Sequence, residues 1–594
     1  GVGWGPRRGV GEPLLLGSAK TNFGHTEAAA GVAGVMKVVL AMREGVLPPS
    51  LNYTGPNPYI DFDREHLEVV EDPREWPEYS GRAIAGVSGF GFGGTNAHVV
   101  IAAPDLEEEA AAGVGAAGAN SATPIGLDRE DSAGEAPRVL LPVSGLLPSR
   151  RRQAAEALAT YLEENKQALS GATEADQLRG VALALAGHNH GRSRGVVSAA
   201  TIDEAIAGLQ RIAAGKQGAT VKSADSPAAN GPVWVFSGFG SQFRKMAKDL
   251  YELSEFFAAR LDELDKLVLA ESGWSFTEMV LDDEQNYDTE RAQVGITCVQ
   301  IALNDLMRTL GAKPAAVVGQ SMGEIAAAYA VGGITAEEAV RTACHRARLM
   351  GEGERLLPED KQGAMAVVEF GVEELATFTS EHPEYAKVEP AVYAAPGMTT
   401  VGGPAEPVQK LVEYLEGEGK FARLLKVKGA GHTSMLDPIL GELHYEISDL
   451  NPQPIHTPLY STVDRGRVYI PGEVVHDAEY FLRCTRQPVW FSEATGKQFD
   501  DGYRTFIEFS PNPVALMPLM NNSFAHNASD SKLMFLLKRK EPVSQTLLST
   551  LAELYVQGAD LDLKALAAGS RTPQDIATAT AGSRTPCLLY TSPS

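Results

Sequence analysis

The sequence is poor in cysteine. Its 594 residues include four, which stand far apart at Cys298, Cys344, Cys484 and Cys587. No C-x-x-C pair is present, and this excludes the usual spacing of zinc sites and redox-active dithiols. Separated thiols of this kind are typical of a reducing compartment. We therefore expect a cytoplasmic protein without disulfides or a metal site.

Basic residues and long apolar runs are also scarce. Lys and Arg number 52 against 76 Asp and Glu, which gives a formal net charge of −24. Nucleic acids and anionic membranes bind clusters of Lys and Arg, so this balance argues against both partners. The apolar stretch "GVAGVMKVVLAM" is interrupted by Lys37 and is shorter than the ~18 residues of a membrane helix. It predicts a packed helix instead.

The length predicts several domains, because 594 residues exceed what one core holds, and about three to five are expected. The chain starts at Gly1 without methionine, and we expect it to be a fragment of a longer protein. Residues 105–137 are small and acidic without aromatics, which predicts a flexible linker. Patterned sequence resumes at Arg138, and the strand "PVWVFSG" opens a larger domain. The tail, residues 567–594, repeats "AGSRTP" and is expected to be disordered or artefactual.

Residues 363–428 alternate between strand and helix patterns in an informative order. The strand "GAMAVVEF" is followed by a helix, two strands, a second helix and the strand "FARLLKVKG". This β-α-β-β-α-β order predicts a ferredoxin-like subdomain inserted into a larger α/β unit.

A candidate nucleophile lies in the run "AAVVGQSMGEIAAAYA" at residues 315–330. Apolar residues before Ser321 predict a buried parallel strand, and those after it are good helix formers. A strand-to-helix turn with the pattern G-x-S-x-G exposes the serine hydroxyl and aims the next backbone N–H at an oxyanion. Hydrolases and acyltransferases share this pattern, and a plain turn remains the alternative.

The serine needs a base, and His432 in "VKGAGHTSMLDP" is the candidate. It follows the inserted subdomain on a Gly-rich approach, where backbone can lie close to a substrate. A single loop histidine is more often structural or exposed. Its place directly after the insertion favours the catalytic interpretation.

The run "VGITCVQIALNDLMRTLGAKPAAVVGQSMGEIAAAYAVGGITAEEAV" resembles the malonyl/acetyl-type acyltransferase domain of animal fatty acid synthases and type I polyketide synthases. The likeness continues through "VFSGFGSQF", "GHTSMLDP", "YFLRCTRQPVWFSEA" and "FIEFSPNP". It implies that Ser321 is acylated from coenzyme A and that His432, oriented by a backbone carbonyl, is its base. It further implies that Arg346, rather than the nearby Arg348, binds the free carboxylate of the acyl group. A guanidinium fork pairs bidentately with a carboxylate.

The same resemblance assigns the rest of the pocket. Backbone N–H groups of Met322 and Phe239 are expected to bind the oxyanion, and Gln242 and Gln293 match other pocket positions. Phe239 stands where many relatives have glutamine, a change that animal fatty acid synthases tolerate.

Two further departures concern Gln320 and Gly431. Gln320 replaces a common histidine beside the serine. Gly431 stands where many malonyl-selective relatives have phenylalanine, and we expect the space to admit a methylmalonyl group.

The first hundred residues resemble a different enzyme. "KTNFGHTEAAAGVAG" and "GVSGFGFGGTNAHVVI" are similar to the C-terminal part of a β-ketoacyl synthase of the thiolase fold. The resemblance implies that His25 assists decarboxylation and that Lys20 supports that site. The nucleophilic cysteine of that family lies upstream, so we expect this truncated synthase part to be inactive.

The complete prediction is an α/β chain. It comprises residues 1–104 of a thiolase-fold ketosynthase, the linker 105–137, an α/β adapter at 138–227, an α/β-hydrolase-like acyltransferase at 228–535 and a strap at 536–566. We expect it to move a malonyl-type unit from a CoA thioester to the phosphopantetheine of an acyl-carrier domain that this chain lacks. No other cofactor is expected, and the full-length protein is expected to be a homodimer through its ketosynthase. A thioesterase-like hydrolase and a non-catalytic scaffold that docks a carrier protein remain alternatives, and the choice between fatty acid and polyketide product stays open.

Overall fold

The structure is a computed structural model of the chain. It describes residues 13–77, 83–91, 96–102, 125–127, 136–166, 174–187, 189–284, 287–356, 358, 362–427 and 429–569. The chain divides into two compact units, residues 1–119 and 120–594. Within the described ranges, no helix is both long and apolar enough to cross a membrane.

The first unit has short paired strands and one long helix. Its elements are β1 (Leu14–Leu16), α1 (Lys20–Phe23), α2 (Ala30–Glu44), β2 (Val46–Leu47), β3 (Leu67–Val69), β4 (Arg74–Glu75), β5 (Ile84–Phe90) and β6 (Asn96–Ala102). β1 pairs with β3 in parallel, whereas β2–β4 and β5–β6 are antiparallel pairs. The stretch "GVAGVMKVVLAM" is helical as predicted, but Val32, Met36 and Leu40 on it are exposed.

The second unit begins with the adapter, which has its own core. Its antiparallel sheet has the order β7-β8-β9, and three helices pack against it. The elements are β7 (Val139–Gly145), α3 (Pro148–Asn165), α4 (Glu174–Ala186), β8 (Ser193–Ala199), α5 (Ile202–Ala213) and β9 (Val221–Ala224).

Three residues of the predicted linker pack against the transferase. Ile125 and Leu127 are buried, and the Ser254 hydroxyl donates a hydrogen bond to the Ile125 carbonyl. This differs from the expectation of a flexible linker over residues 105–137, because the two apolar side chains fill a groove of the core. Residues 105–124 and 128–135 lie outside the described residues.

The transferase is built on a six-stranded sheet of order β17-β16-β11-β10-β18-β19. All neighbouring pairs are parallel except β16–β17. Its strands are β10 (Val233–Phe236), β11 (Ala316–Gly319), β16 (Leu459–Tyr460), β17 (Val468–Tyr469), β18 (Thr505–Phe509) and β19 (Lys532–Phe535), and the inserted subdomain holds β12 to β15. Successive residues of β10 and β11 point into opposite cores, so both faces of the sheet are covered.

Helices cover both faces of this sheet. They are α6 (Lys248–Leu253), α7 (Glu255–Ser272), α8 (Phe276–Leu281), α9 (Thr289–Thr309), α10 (Gly323–Ala330), α11 (Ala336–Leu356), α14 (Asp437–Ile447), α15 (Ala478–Arg486), α16 (Phe491–Asp500) and α17 (Leu516–Ala525), with α12 and α13 in the insertion.

The inserted subdomain has the predicted order of elements. They are β12 (Gly363–Val368), α12 (Val372–Glu381), β13 (Glu389–Ala395), β14 (Met398–Pro404), α13 (Ala405–Gly417) and β15 (Ala422–Leu424). The antiparallel sheet has the order β13-β14-β12-β15, which is the ferredoxin-like arrangement. Its last strand leads into the loop that carries His432.

The closing segment returns to the adapter. Helix α18 (Val543–Val556) packs on β8 and β9, and α19 (Leu563–Ala568) packs on α4. Arg194 of β8 donates to the carbonyls of Tyr555 and Ala559, and the Tyr555 hydroxyl donates to the Asn189 carbonyl. These bonds join the two ends of the second unit.

Candidate active site

Ser321 lies on the turn between β11 and α10, at the carboxyl end of a central strand. Its φ of 56° is in the left-handed region, which non-glycine residues rarely adopt. The flanking glycines make the turn possible. A Cβ at Gly323 would lie 2.0 Å from the Phe236 carbonyl oxygen, and one at Gly319 would lie 2.6 Å from the Glu324 Cα. The strained turn raises the serine hydroxyl from the end of the strand.

The structure brings His432 to this serine. The Ser321 Oγ is 2.6 Å from the His432 Nε2, and the His432 Nδ1 is 3.1 Å from the Gln487 carbonyl oxygen. A carbonyl oxygen only accepts, so Nδ1 carries a hydrogen. In the neutral imidazole, Nε2 then presents its lone pair to the serine hydroxyl, which is the geometry of a base.

His432 is buried, with 4% of its surface exposed. Burial, and then the positive charge of Arg346, lower its pKa to about 3. Hydrogen bonds to the backbone of Gln487 and Cys484 oppose this shift. The imidazole is therefore neutral near pH 7 and can accept the serine proton.

Arg346 on α11 is a buried cation with 4% exposure. Its Nε donates to the Thr485 hydroxyl at 3.1 Å, and its Nη1 donates to the Gln293 side-chain carbonyl. Burial lowers its pKa, and within the described part of the chain no carboxylate forms an ion pair with it. A buried guanidinium without an anion is rare, because isolated buried charges are costly.

Arg348, the sequence competitor, has a different environment. It is partly exposed and pairs with Glu352, Glu442 and Glu446 at 3.0 to 3.3 Å. Its charge is already neutralised, so the structure makes Arg346 the available cation.

Gln293 and Gly431 border the same space. The Gln293 amide donates to the Met350 sulfur at 3.8 Å. Of the described residues, a Cβ at Gly431 would meet only Met350, at its Cε and at 3.9 Å. The φ of Gly431 is outside the positive range, so larger residues fit its backbone. The side of the pocket beside His432 is therefore open.

Two backbone N–H groups lie at the turn without a partner among the described residues: those of Met322 and Phe239. Phe239 follows Gly238, and the chain at Gly238 lies close to the nucleophile turn. A Cβ at Gly238 would be 2.9 Å from the Gln320 carbonyl oxygen and 3.3 Å from the Ser321 Cβ. Unpaired N–H groups of this kind bind developing negative charge.

The remaining predicted residues form local hydrogen bonds. The half-buried Gln242 accepts from the Gly240 N–H at 2.9 Å, and no hydrogen bond in the described part joins it to Ser321 or His432. Gln320 is half-buried and its backbone N–H donates to the Phe236 carbonyl. In the first unit, Lys20 and His25 are exposed, and the His25 Nδ1 accepts from the Glu27 N–H.

Sequence reasoning missed the contribution of α15. The Cys484 thiol donates to the Ser321 carbonyl at 3.4 Å, Thr485 holds Arg346, and the Gln487 carbonyl orients His432. The motif "YFLRCTRQPVW" contains all three residues. Thr485 accepts through its hydroxyl and Gln487 through its backbone carbonyl. Many residues could supply such acceptors, so the sequence pattern did not single out these two.

Comparison with known families matches three parts of the chain. The acyl transferase domain model matches residues 233–561, more than half of the chain. The chain belongs to the acyl transferase family. The C-terminal domain of β-ketoacyl synthases matches residues 4–54, and the ketoacyl-synthetase C-terminal extension matches 56–180. The last match crosses the boundaries predicted at residues 104 and 137.

The relatives are polyketide synthases. A phenolphthiocerol/phthiocerol polyketide synthase of Mycobacterium tuberculosis is 37% identical over 515 residues, covering 86% of this chain and 26% of the relative. Phthioceranic/hydroxyphthioceranic acid synthase of the same species is 34% identical over 570 residues, covering 94% and 25%. The chain thus spans about a quarter of the length of these curated relatives.

Solved structures agree on the fold. The acyltransferase domain from module 8 of the salinomycin polyketide synthase matches with a TM-score of 0.62 and 27% identity, over 72% of this chain and 98% of that domain. The acyl transferase domain of ZmaA matches with a TM-score of 0.62 at 21% identity, over 73% and 97%, and supports the fold alone. The predicted resemblance and α/β fold are confirmed, and residues 233–561 form an acyltransferase domain of the polyketide synthase type. The hydrolase and scaffold alternatives are not favoured.

Proposed function

We propose that this site moves a malonyl-type acyl group from a CoA thioester to the phosphopantetheine thiol of an acyl carrier protein, through an acyl-Ser321 intermediate. The buried Arg346 carries the proposal, because it lacks an anion among the described residues and lies in the site of a reactive serine. A free carboxylate on the acyl group supplies that anion. An acetyl group or a neutral fatty acyl group has none.

Acylation uses the Ser321–His432 pair. The His432 Nε2 takes the hydroxyl proton as Oγ attacks the thioester carbonyl, and the Met322 and Phe239 N–H groups stabilise the oxyanion. The C–S bond then breaks, and the imidazolium returns its proton to the leaving CoA thiolate. An O-acyl serine and a free thiol are formed.

Transfer repeats these steps in reverse. The carrier's thiol gives its proton to His432 and attacks the Ser321 ester carbonyl. The C–O bond then breaks, a new thioester forms, and the imidazolium returns its proton to the Ser321 Oγ. The acceptor's thiol and the donor's thiol are chemically equivalent, so one base serves both halves. The carrier lies on another part of the megasynthase or on a separate chain.

The open space at Gly431 supports a 2-methylmalonyl group as the preferred unit. Among the described residues, only Met350 lies within 4 Å of a Cβ placed there, at 3.9 Å. One methyl group changes pocket selectivity by about 1–3 kcal/mol, so a preference of about 10- to 100-fold is the expected scale.

The selectivity prediction is tested by filling this space. In competition between malonyl- and methylmalonyl-CoA, the mass added at Ser321 should show methylmalonyl predominating in the wild type and malonyl in Gly431→Phe. Gly417→Ala on α13 is the control, because no atom of the described residues lies within 4 Å of a Cβ there. Predominant malonyl loading of the wild type would refute the preference.

The function itself is tested with radiolabelled malonyl-CoA and the Ser321→Ala variant as control. Stable label that depends on Ser321 and moves to an added carrier protein supports the transacylase. Rapid release of free acid would indicate a hydrolase, and absence of label would indicate a scaffold.

The remaining assignments are part of the proposal. We assign the product to polyketide synthesis because the curated relatives are polyketide synthases. Lys20 and His25 would serve the ketosynthase part, which the match at residues 4–54 supports. In the full-length cytoplasmic protein, the ketosynthase would form the homodimer.

A further inference from the structure

Glu324 lies three residues after Ser321, in the first turn of α10, and is fully buried. Burying an ionised carboxylate is costly unless a cation neutralises it. Among the described residues, no Lys or Arg pairs with Glu324. The titratable groups that face it are Tyr480 and Cys484 of α15 and Asp464 of the loop after β16. Asp464 is itself paired with Arg483 at 3.2 Å.

The two hydrogen bonds of the Thr462 hydroxyl need two hydrogens, and the hydroxyl has only one. An ionised Glu324 has no hydrogen to supply the second. The Thr462 Oγ1 lies 2.6 Å from the Glu324 Oε1 and 2.9 Å from the Gly319 carbonyl oxygen. The hydroxyl has one hydrogen, and a carbonyl only accepts, so the bond to Gly319 uses it. The hydrogen between Thr462 and Glu324 must then come from the carboxyl group.

Two further groups donate hydrogen bonds to the Glu324 carboxyl oxygens. The Thr462 N–H donates to Oε1 at 3.2 Å, and the Tyr480 hydroxyl donates to Oε2 at 3.0 Å. In the protonated form, Oε1 donates to the Thr462 Oγ1 and Oε2 accepts from Tyr480, so each contact joins one donor to one acceptor. Burial raises the pKa of Glu324 and outweighs the hydrogen bonds from Thr462 and Tyr480, which lower it, so the protonated form is favoured.

We propose that Glu324 is a neutral carboxylic acid that donates to Thr462 and so holds the nucleophile turn against α15. The Gly319 carbonyl, fixed by Thr462, precedes Ser321 by two residues. Tyr480 continues the connection to α15, which contacts Ser321 and Arg346 and is followed by Gln487, whose carbonyl contacts His432. Glu324 is a positioning residue, and this role rests on the proposed acylation of Ser321.

The protonation state is tested directly by infrared spectroscopy of the full chain at neutral pH. The wild-type minus Glu324→Gln difference spectrum should contain the carbonyl stretch of a protonated carboxylic acid. Thr462→Val, which removes the hydroxyl that accepts from Glu324, should shift that band to higher frequency. A carboxylate band in its place would overturn the proposal, and neither readout depends on catalysis.

Unfolding at different pH values gives a second test. A folded pKa above the unfolded value means that stability is present at low pH and is lost as pH rises through the folded pKa. The urea midpoint of the wild type should therefore fall relative to that of Glu324→Gln between about pH 5 and pH 8. A constant or rising difference would overturn the neutral state.

The positioning role is tested by the rate of Ser321 labelling. Thr462→Val should slow labelling by about 10- to 100-fold, as small misplacements of reacting groups do. Thr550→Val is the matched control, because Thr550 is also buried and its hydroxyl also donates to a backbone carbonyl, at 2.9 Å, but it lies on α18. Equal rates in the two variants would refute the positioning role, whereas a wild type that takes no label would refute the proposed function and leave the infrared result standing.

Discussion

Arg346 is the residue whose environment most restricts the substrate. Its guanidinium is buried, two neutral acceptors hold it, and no carboxylate of the described residues neutralises it. Two neutral acceptors fix the orientation of the fork but leave its charge uncompensated. A substrate carboxylate would complete the set.

Replacing Arg346 by Met should remove this interaction. We expect the stabilisation of the transition state for malonyl-CoA to fall by about 2–4 kcal/mol, which is the scale of charge-assisted hydrogen bonds. This corresponds to a decrease in kcat/KM of about 30- to 1000-fold. Kinetics with malonyl-CoA and acetyl-CoA measure the change, and acetyl-CoA should lose little. Arg348→Met is the control, since its partly exposed ion pairs contribute about 0–1 kcal/mol. An equal loss for both substrates would contradict a carboxylate clamp.

The pKa of His432 predicts the pH dependence of acylation. An ordinary histidine near 6.5 becomes a cation as pH falls through that value, whereas a base with a pKa of about 3 stays neutral. We therefore expect the rate of Ser321 labelling, per folded molecule, to be flat between about pH 5 and pH 8. Circular dichroism at each pH corrects for unfolding. A decline with a midpoint near pH 6.5 would show that burial does not depress this histidine.

At the scale of elements, the nucleophile turn depends on the contact between β10 and the start of α10. Gly323→Ala would place a Cβ 2.0 Å from the Phe236 carbonyl oxygen. We expect a loss of about 1–3 kcal/mol in the free energy of unfolding and little or no Ser321 labelling, because the turn must open. Gly353→Ala on α11 is the control, since none of the described atoms lies within 4 Å of its Cβ. That change should keep or slightly raise stability, and urea unfolding measures both.

The elements show which patterns can be predicted from sequence. The turn around Ser321 and the ferredoxin-like insertion follow from local periodicity and the order of strands and helices. The contacts of α15 and of Gln487 after it cannot be predicted in this way. Every residue has a backbone carbonyl, so the sequence does not show which carbonyl orients His432. The burial of Ile125 and Leu127 was also missed, since two apolar residues in an acidic segment give no periodicity.

At the scale of the whole molecule, the closing helix α18 fastens the adapter to the transferase. Arg194 is largely buried, donates to the Tyr555 and Ala559 carbonyls at 3.1 and 2.8 Å, and lies 5.0 Å from the Tyr555 ring. Arg194→Ala leaves both carbonyls without this donor. We expect a loss of about 2–4 kcal/mol in stability, with Ser321 labelling per folded molecule unchanged. The exposed Arg192→Ala is the control, and a slower labelling rate in Arg194→Ala alone would show that the adapter affects the site.

The sequence by itself determined the family and the candidates for the nucleophile, its base and the carboxylate clamp, because these use particular side chains at particular spacings. Only the tertiary structure decided that, among the described residues, Arg346 has no ion pair while Arg348 has several and Glu324 has no cation beside it. It also decided that burial lowers the pKa of His432 and keeps the imidazole neutral. Charge state and pairing depend on burial and on neighbours more than a hundred residues away in the chain. The sequence shows which side chains can titrate, but their burial and their neighbours in the folded protein determine how costly each charge is.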